Sequence, residues 1–271
     1  MATPLRLIHP ELSTFGSAVR PLRPSKIGKL LGCAMSVVLT MHDEREGGAK
    51  AQTGNLVHSA AMWYHKTEGT EAARIEAGLA ALEEARGKFP EGDEAKARSI
   101  FASYAADKAN RDAKVLWCEE PVRLTLKADP TDPTQEEIVI QGTLDQVRED
   151  KDGDLYVHDI KTGDYNDEQA SILEYLAQQA TYILAARETL SKKVVGGGLI
   201  YTPGYAKVRG RVHLPLPLTV GQCEDILRLV PAIVAAVRRG EAVFRPGKEA
   251  CQWCEKKPWP KCHNLFKGMY G

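Results

Sequence analysis

The chain has little that is long and apolar, a start that does not read as a secretory leader and no net charge, and each shortage argues against a class of protein. The longest apolar stretch near the C-terminus, Ile226 to Val237, is broken by Arg228 and Pro231 and is too short to cross a bilayer. The start, MATPLRLIHPELSTFG, lacks a basic region followed by an apolar core, so a cytoplasmic setting without a membrane is expected. In that setting the six cysteines read as ligands or free thiols rather than as a disulfide framework. Lys+Arg and Asp+Glu are equal at 36 each, so no global field draws the chain onto a polyanion and any such site must be local. Candidate patches are Arg20, Arg23, Lys26 and Lys29, then Lys192 and Lys193, then Lys207, Arg209 and Arg211, and finally Lys256, Lys257 and Lys261. Their plainer reading is solvated surface. Internal repeats and low-complexity segments are also missing.

What is present suits one large domain spanning 1–271, since 271 residues with 43% hydrophobic content can bury a substantial core. Ser25 reads as the N-cap of a helix to about Leu39, with Ile27, Leu30, Leu31, Ala34 and Val38 as its apolar stripe and Cys33 within it. Gly47 and Gly48 mark a break before a second helix from about Gly54 through His65, so that 25–65 forms an N-terminal helical part. Ala/Glu-rich helical stretches at 71–86 and 92–113 make 66–113 a helical insert.

The period changes at Trp117. Trp117 to Lys127 and Glu137 to Arg148 have the alternation and β-branching of strands, the segment from Asp150 to Gly153 has turn chemistry, and Leu155 to Lys161 reads as the returning strand of a hairpin. A helix from Asp167 to Leu190 and strands at Val194 to Tyr201 and Lys207 to Leu214 complete a core over 114–215. Thr219 caps a last helix to about Arg239 within 216–243, and the Cys-, Pro- and Trp-rich tail 244–271 reads as a ligand-tethered cap. The expected class is α/β, a mixed central sheet flanked by helices.

The chemistry concentrates in the hairpin. A turn centred near Lys151 and Asp152 sets Asp145 opposite a position close to His158, one residue from Asp159, and Asp159 and Lys161 share a face by their spacing of two. Two neighbouring carboxylates repel unless a cation lies between them, and hard oxygen ligands suit Mg²⁺ or Mn²⁺. A lysine beside that cation can hold an attacking water or neutralise charge developing on a phosphate. Ordinary surface acids on a hairpin are the competing reading.

GTLDQV (142–147) followed by VHDIKTGD (157–164) resembles the signature of PD-(D/E)xK nucleases of the RecB type. Gly54-x-x-x-His58 resembles the helix that carries the family's metal-binding histidine, and Gln178-x-x-x-Tyr182 resembles its Q-x-x-x-Y motif. The resemblance spans roughly 25–265 and implies a restriction-endonuclease-like fold. It also implies a metal held by His58, Asp145, Asp159 and the Ile160 carbonyl, with Lys161, Gln178 and Tyr182 acting beside it. On the residues alone His58 reads more readily as a half-buried helix histidine, and Tyr182 as a core residue whose edge Gln178 caps. Glu120, in WCEEPVRL, is a further acid with either a site or a surface role.

Cys251-x2-Cys254-x7-Cys262 gathers three thiols in an irregular tail, one short of a tetrahedral or cubane site. The resemblance implies Cys33 as the fourth ligand and a [4Fe–4S] cluster, while spacing leaves structural Zn²⁺ open. Cys118 and Cys223 read as core thiols. The function so implied is a metal-dependent exonuclease processing DNA ends in phage or bacterial recombination or repair, with DNA as its partner and a recombination or single-strand-binding protein as a further one. Trp253 and Trp259 could stack on unpaired bases or pack in the cap. The rival readings are a catalytically silent DNA-binding or assembly subunit and a zinc-stapled RNA-processing protein.

Overall fold

A computed structural model describes residues 10–39, 48–127, 136–162, 173–190, 194–202, 212–216 and 218–240. After a short 3-10 turn at Pro10–Thr14 come α1 (Pro24–Gly32), α2 (Ala34–Leu39), α3 (Ala49–Lys66), α4 (Glu71–Ala85), α5 (Glu94–Ala105) and α6 (Lys108–Arg111). The strands follow as β1 (Lys114–Leu126), β2 (Ile138–Glu149) and β3 (Leu155–Lys161), then α7 (Leu173–Leu190), β4 (Val194–Tyr201), β5 (Val212–Leu216), α8 (Val220–Leu227) and α9 (Val230–Arg238).

The five strands stand in chain order in one sheet. Three contacts are antiparallel and β3 runs parallel to β4, with α7 in the connection between them. The sheet is therefore mixed, with helices on both sides, as the sequence led us to expect. One apolar cluster joins α1, α2, α7, α8 and α9 to Val122, Leu124, Leu144, Val147, Leu155 and Val157. A second joins α3, α4 and α5 to Ile160 and Ile200. Gly197 on β4 permits the close packing of α7, since a Cβ there would lie 2.7 Å from Gln179 Oε1.

The single helix expected over 25–39 is two helices. Cys33 has an extended backbone (φ −157°, ψ 99°) and separates α1 from α2, so it lies at a break and not within a helix. Arg23 rather than Ser25 precedes the first turn, because Pro24 at the first helical position fixes the φ that a helix needs. The last helix is likewise divided. Thr219 forms the capping box with Gln222 as its composition suggests, but Pro231 restarts the helix as α9 because it cannot continue the hydrogen-bond ladder of α8.

The hairpin turn is held by Asp150, whose Oδ1 accepts from the backbone N–H groups of Asp152 and Asp154, with Gly153 at φ +80°. It sets the register Gln146↔His158 and Glu149↔Leu155. That is one residue away from the register expected from the sequence, and carried one step past the last pair it sets Asp145 against Asp159.

Candidate active site

The site lies where β2 and β3 part. Their pairing ends at Gln146↔His158, and further along β2 its free edge is taken by Leu22, whose N–H reaches Val139 O and whose carbonyl accepts from Gln141 N. Between these two pairings side chains replace the ladder. Asp145 Oδ2 accepts the Ile160 N–H at 2.5 Å, and the Tyr182 hydroxyl donates to Thr143 O at 2.8 Å.

From one side of this fork α3 delivers His58. Its Nδ1 lies 3.0 Å from Glu119 Oε1 and 3.3 Å from Asp145 Oδ1, while Nε2 donates to Ile160 O at 3.2 Å. Gly54, one turn earlier, lets α3 come close to the end of β3, since a Cβ there would stand 3.2 Å from Thr162 Oγ1. The G-x-x-x-H spacing thus has a packing reason as well as a chemical one. His58, Glu119 and Asp145 offer three ligand atoms within 4.8 Å of one another, a donor set that fits a divalent cation.

The charges of the site act on one another at close range. Burial alone would discharge the His58 imidazolium, but Asp145, and Glu119 with it, outweigh that and raise its pKa well above the ordinary 6.5. Burial also opposes charge on Asp145, yet His58, the Ile160 N–H and Lys161 hold its carboxyl below the usual range. In the metal-free chain the protonated imidazole thus supplies the positive charge that the paired carboxylates demand.

On the other side of the fork stand Asp159 and Lys161, on one face of β3 as their spacing requires. Lys161 Nζ is 2.5 Å from Asp159 Oδ2, and Gln178 of α7 donates to Asp159 Oδ1 at 3.3 Å. Burial together with the nearby Asp145 raises the Asp159 pKa despite Lys161. Burial disfavours the Lys161 ammonium, but Asp159 overrides it and raises the lysine pKa.

The structure thus brings His58, Asp145, Asp159, Ile160, Lys161, Gln178 and Tyr182 to one fork, with a different distribution of contacts from the one expected. Asp159 pairs with Lys161 and is not one of the three ligand atoms gathered within 4.8 Å. The Ile160 carbonyl receives His58 Nε2, on the opposite edge of the ring from the carboxylates, where it orients the imidazole. Tyr182 is buried and spends its hydroxyl on the backbone of β2, so here the core reading of this residue describes its contacts.

Glu119 was not singled out in the sequence. Glu120, the acid that was, points to Lys66 at 3.6 Å instead. Glu119 lies across from Asp145, between the pairs Cys118↔Gln146 and Glu120↔Leu144, and reaches His58 from φ +54°. Neighbouring strand residues face opposite sides, so one member of the Glu119-Glu120 pair had to face α3; the register irregularity between Val115 and Trp117 hides which one.

Cys33 is free and partly buried, and Cys118 and Cys223 are buried thiols pushed up by burial to about 12 and about 11, as core thiols should be. Cys251, Cys254, Cys262, Trp253 and Trp259 lie outside the described residues, as do Lys192, Lys193, Lys207, Arg209, Arg211, Lys256, Lys257 and Lys261. Among the described residues no helix is long and apolar enough to cross a membrane.

The family model of the PD-(D/E)XK nuclease superfamily matches residues 22–259. A crystal structure of a protein described as a "Putative exonuclease" from Eubacterium rectale is similar in fold, with a TM-score of 0.56 and 14% identity over 92% of this chain and 90% of that one. The crystal structure of SSO0001 aligns with a TM-score of 0.36 and 16% identity over 82% and 89% of the two chains, too low to carry an argument. No curated protein matches the chain.

Proposed function

The chain belongs to the PD-(D/E)XK nuclease superfamily, and from that premise we propose that it is a divalent-metal-dependent deoxyribonuclease, an exonuclease processing DNA ends in phage or bacterial recombination or repair. The observation that carries this reading is the convergence of His58, Glu119 and Asp145 beside the Asp159–Lys161 pair, at a fork open between two strands. The exonuclease assignment takes its direction from the RecB-type motifs, with the Eubacterium rectale neighbour agreeing in fold.

In this reading Mg²⁺ or Mn²⁺ would be held by His58 Nδ1, Glu119 and Asp145, with Asp159 on the neighbouring strand. A cation there would supply Lewis acidity toward a phosphoryl oxygen and toward an attacking water. The chain's own groups do the rest. The Ile160 carbonyl keeps a proton on Nε2 of His58 and so leaves Nδ1 as the ligating nitrogen. Lys161 offers the ammonium that neutralises charge gathering on the phosphate, and Asp159 holds that ammonium in place. Gln178 fixes the remaining oxygen of Asp159. Tyr182 braces β2 at Thr143, two residues from Asp145.

The cysteine cap is part of the same proposal: Cys33, Cys251, Cys254 and Cys262 would hold a [4Fe–4S] cluster, with structural Zn²⁺ as the alternative. Supporting it is the position of Cys33, at the break between α1 and α2 and not sealed into the core. Anaerobic purification tests it, since a colourless protein holding one equivalent of zinc would overturn the iron assignment.

The deciding experiment is cleavage of end-labelled single- and double-stranded DNA with Mn²⁺, run beside Asp159→Ala and Lys161→Ala. Chelator-sensitive shortening from the ends by wild type, and its loss in both variants, is expected. No cleavage by wild type would leave a silent DNA-binding subunit as the better reading, and cleavage of RNA alone would favour an RNA-processing protein.

A further inference from the structure

Helix α7 presents Tyr175, Gln178 and Tyr182 at spacings of three and four, one stripe on its surface. Each meets a different part of the fork. Gln178 reaches Asp159 and Tyr182 reaches Thr143, while the Tyr175 ring lies over Lys161, its centroid 5.0 Å from Nζ. The Lys161 ammonium is thus held from two directions, by the Asp159 carboxylate at 2.5 Å and by an aromatic face.

A lysine head on a four-carbon stem has many rotamers and little directional preference of its own. An aromatic face attracts it through the ring quadrupole, and more strongly where water is thinned, as here, where the Lys161 side chain is 22% exposed. A carboxylate alone fixes the distance of the head but allows it to swing around the oxygen. The ring closes off part of that swing.

Resting on the nuclease reading, we propose that Tyr175 is a positioning residue, whose ring holds the Lys161 ammonium in the orientation that cleavage uses. The ring face does this work and the hydroxyl does not. A Tyr175 that served instead as a base-stacking platform would act on DNA affinity, and one that served only to pack α7 would act on stability.

Tyr175→Leu and Tyr175→Phe separate these roles. We expect Tyr175→Leu to lower kcat roughly tenfold, the size of a partly desolvated cation–π contact, with DNA affinity in Ca²⁺ and thermal stability near wild type. We expect Tyr175→Phe to restore kcat. A readout without metal or substrate accompanies this: acetylation of Lys161 by an N-hydroxysuccinimide ester in EDTA, followed by mass spectrometry, should accelerate several-fold in Tyr175→Leu and match wild type in Tyr175→Phe. Equal acetylation in wild type and Tyr175→Leu would overturn the proposal. So would a Phe variant as impaired as Leu, or a Leu defect confined to DNA affinity or melting temperature. If wild type cleaves nothing, the nuclease reading fails by itself, and the acetylation rates still decide whether the ring holds the lysine.

Discussion

Glu119 Oε1 approaches His58 Nδ1 to 3.0 Å from a backbone at φ +54°, the only positive φ of a non-glycine among the described residues. Left-handed backbone costs a non-glycine roughly 1–2 kcal/mol, so the strand is strained at the residue that completes the three-ligand cluster. Glu119→Gly should therefore separate stability from function. Its unfolding free energy should stay within about 1 kcal/mol of wild type, because relief of strain offsets the added chain entropy. Its Mn²⁺ affinity should fall by at least about tenfold. Chemical denaturation and metal titration by calorimetry check the two halves, and wild-type metal affinity in this variant would remove Glu119 from the site.

His58 and Asp145 set the pH response of the metal-free protein in opposite senses. The raised His58 pKa gives stabilisation that is complete below 6.5 and disappears as pH climbs through the raised value. The lowered Asp145 pKa gives stabilisation present above the ordinary carboxylate range and lost as pH falls through the depressed value. Melting temperature in EDTA should decline on the alkaline side, and His58→Gln should flatten that decline. Binding of Mn²⁺ must expel the imidazole proton, so affinity should rise with pH, and calorimetry in buffers of different ionisation heat should show proton release. Identical heats in all buffers would contradict the assignment of His58 as a ligand.

His65, two turns beyond His58 on α3, behaves in the reverse way. Burial, with Arg148 and Arg74 nearby, lowers its pKa to about 3, and Tyr104 Oη lies 2.8 Å from its Nε2. The neutral ring contributes stability that is whole above 6.5 and is lost as pH falls toward 3. Equilibrium denaturation from pH 7 to pH 4 should show a smaller loss for His65→Gln than for wild type. Parallel curves would show that His65 protonates freely in the folded state.

Gly78 of α4 is held against α3 and α5: a Cβ there would meet Phe101 Cζ at 2.3 Å and the Ala60 carbonyl at 2.9 Å. Overpacking of this kind costs about 1–3 kcal/mol, against a helix-propensity gain of about 1 kcal/mol for alanine. Gly78→Ala should therefore lower the urea midpoint while Mn²⁺ affinity stays at the wild-type value, since the closest clash is with the Phe101 ring of α5 and not with α3. A variant as stable as wild type would mean that α4 can shift freely.

Much of this was legible because periodicity and turn chemistry are local. Leu155–Lys161 and Val194–Tyr201 have the bounds their residues imply, and Asp159 and Lys161 share a face because strands alternate. Less legible was whatever depended on register or on a single backbone angle. The position facing Asp145 moved by one residue because the turn at 150–154 is tied by Asp150 and not centred on Lys151 and Asp152. Glu119 was invisible because its φ is imposed by the sheet around it. Cys33 broke a helix that hydrophobic spacing carried straight through, since apolar residues continue on both sides of it.

The five-residue turn at 150–154 therefore works as a ruler. Side chains change faces at every step along a strand, so a slip of one residue would carry His158 or Ile160 to the place opposite Asp145 and send the acid and its lysine to the far side of the sheet. Loop length, ordinarily the most freely varied property of a hairpin, is here as exacting as the identity of any ligand.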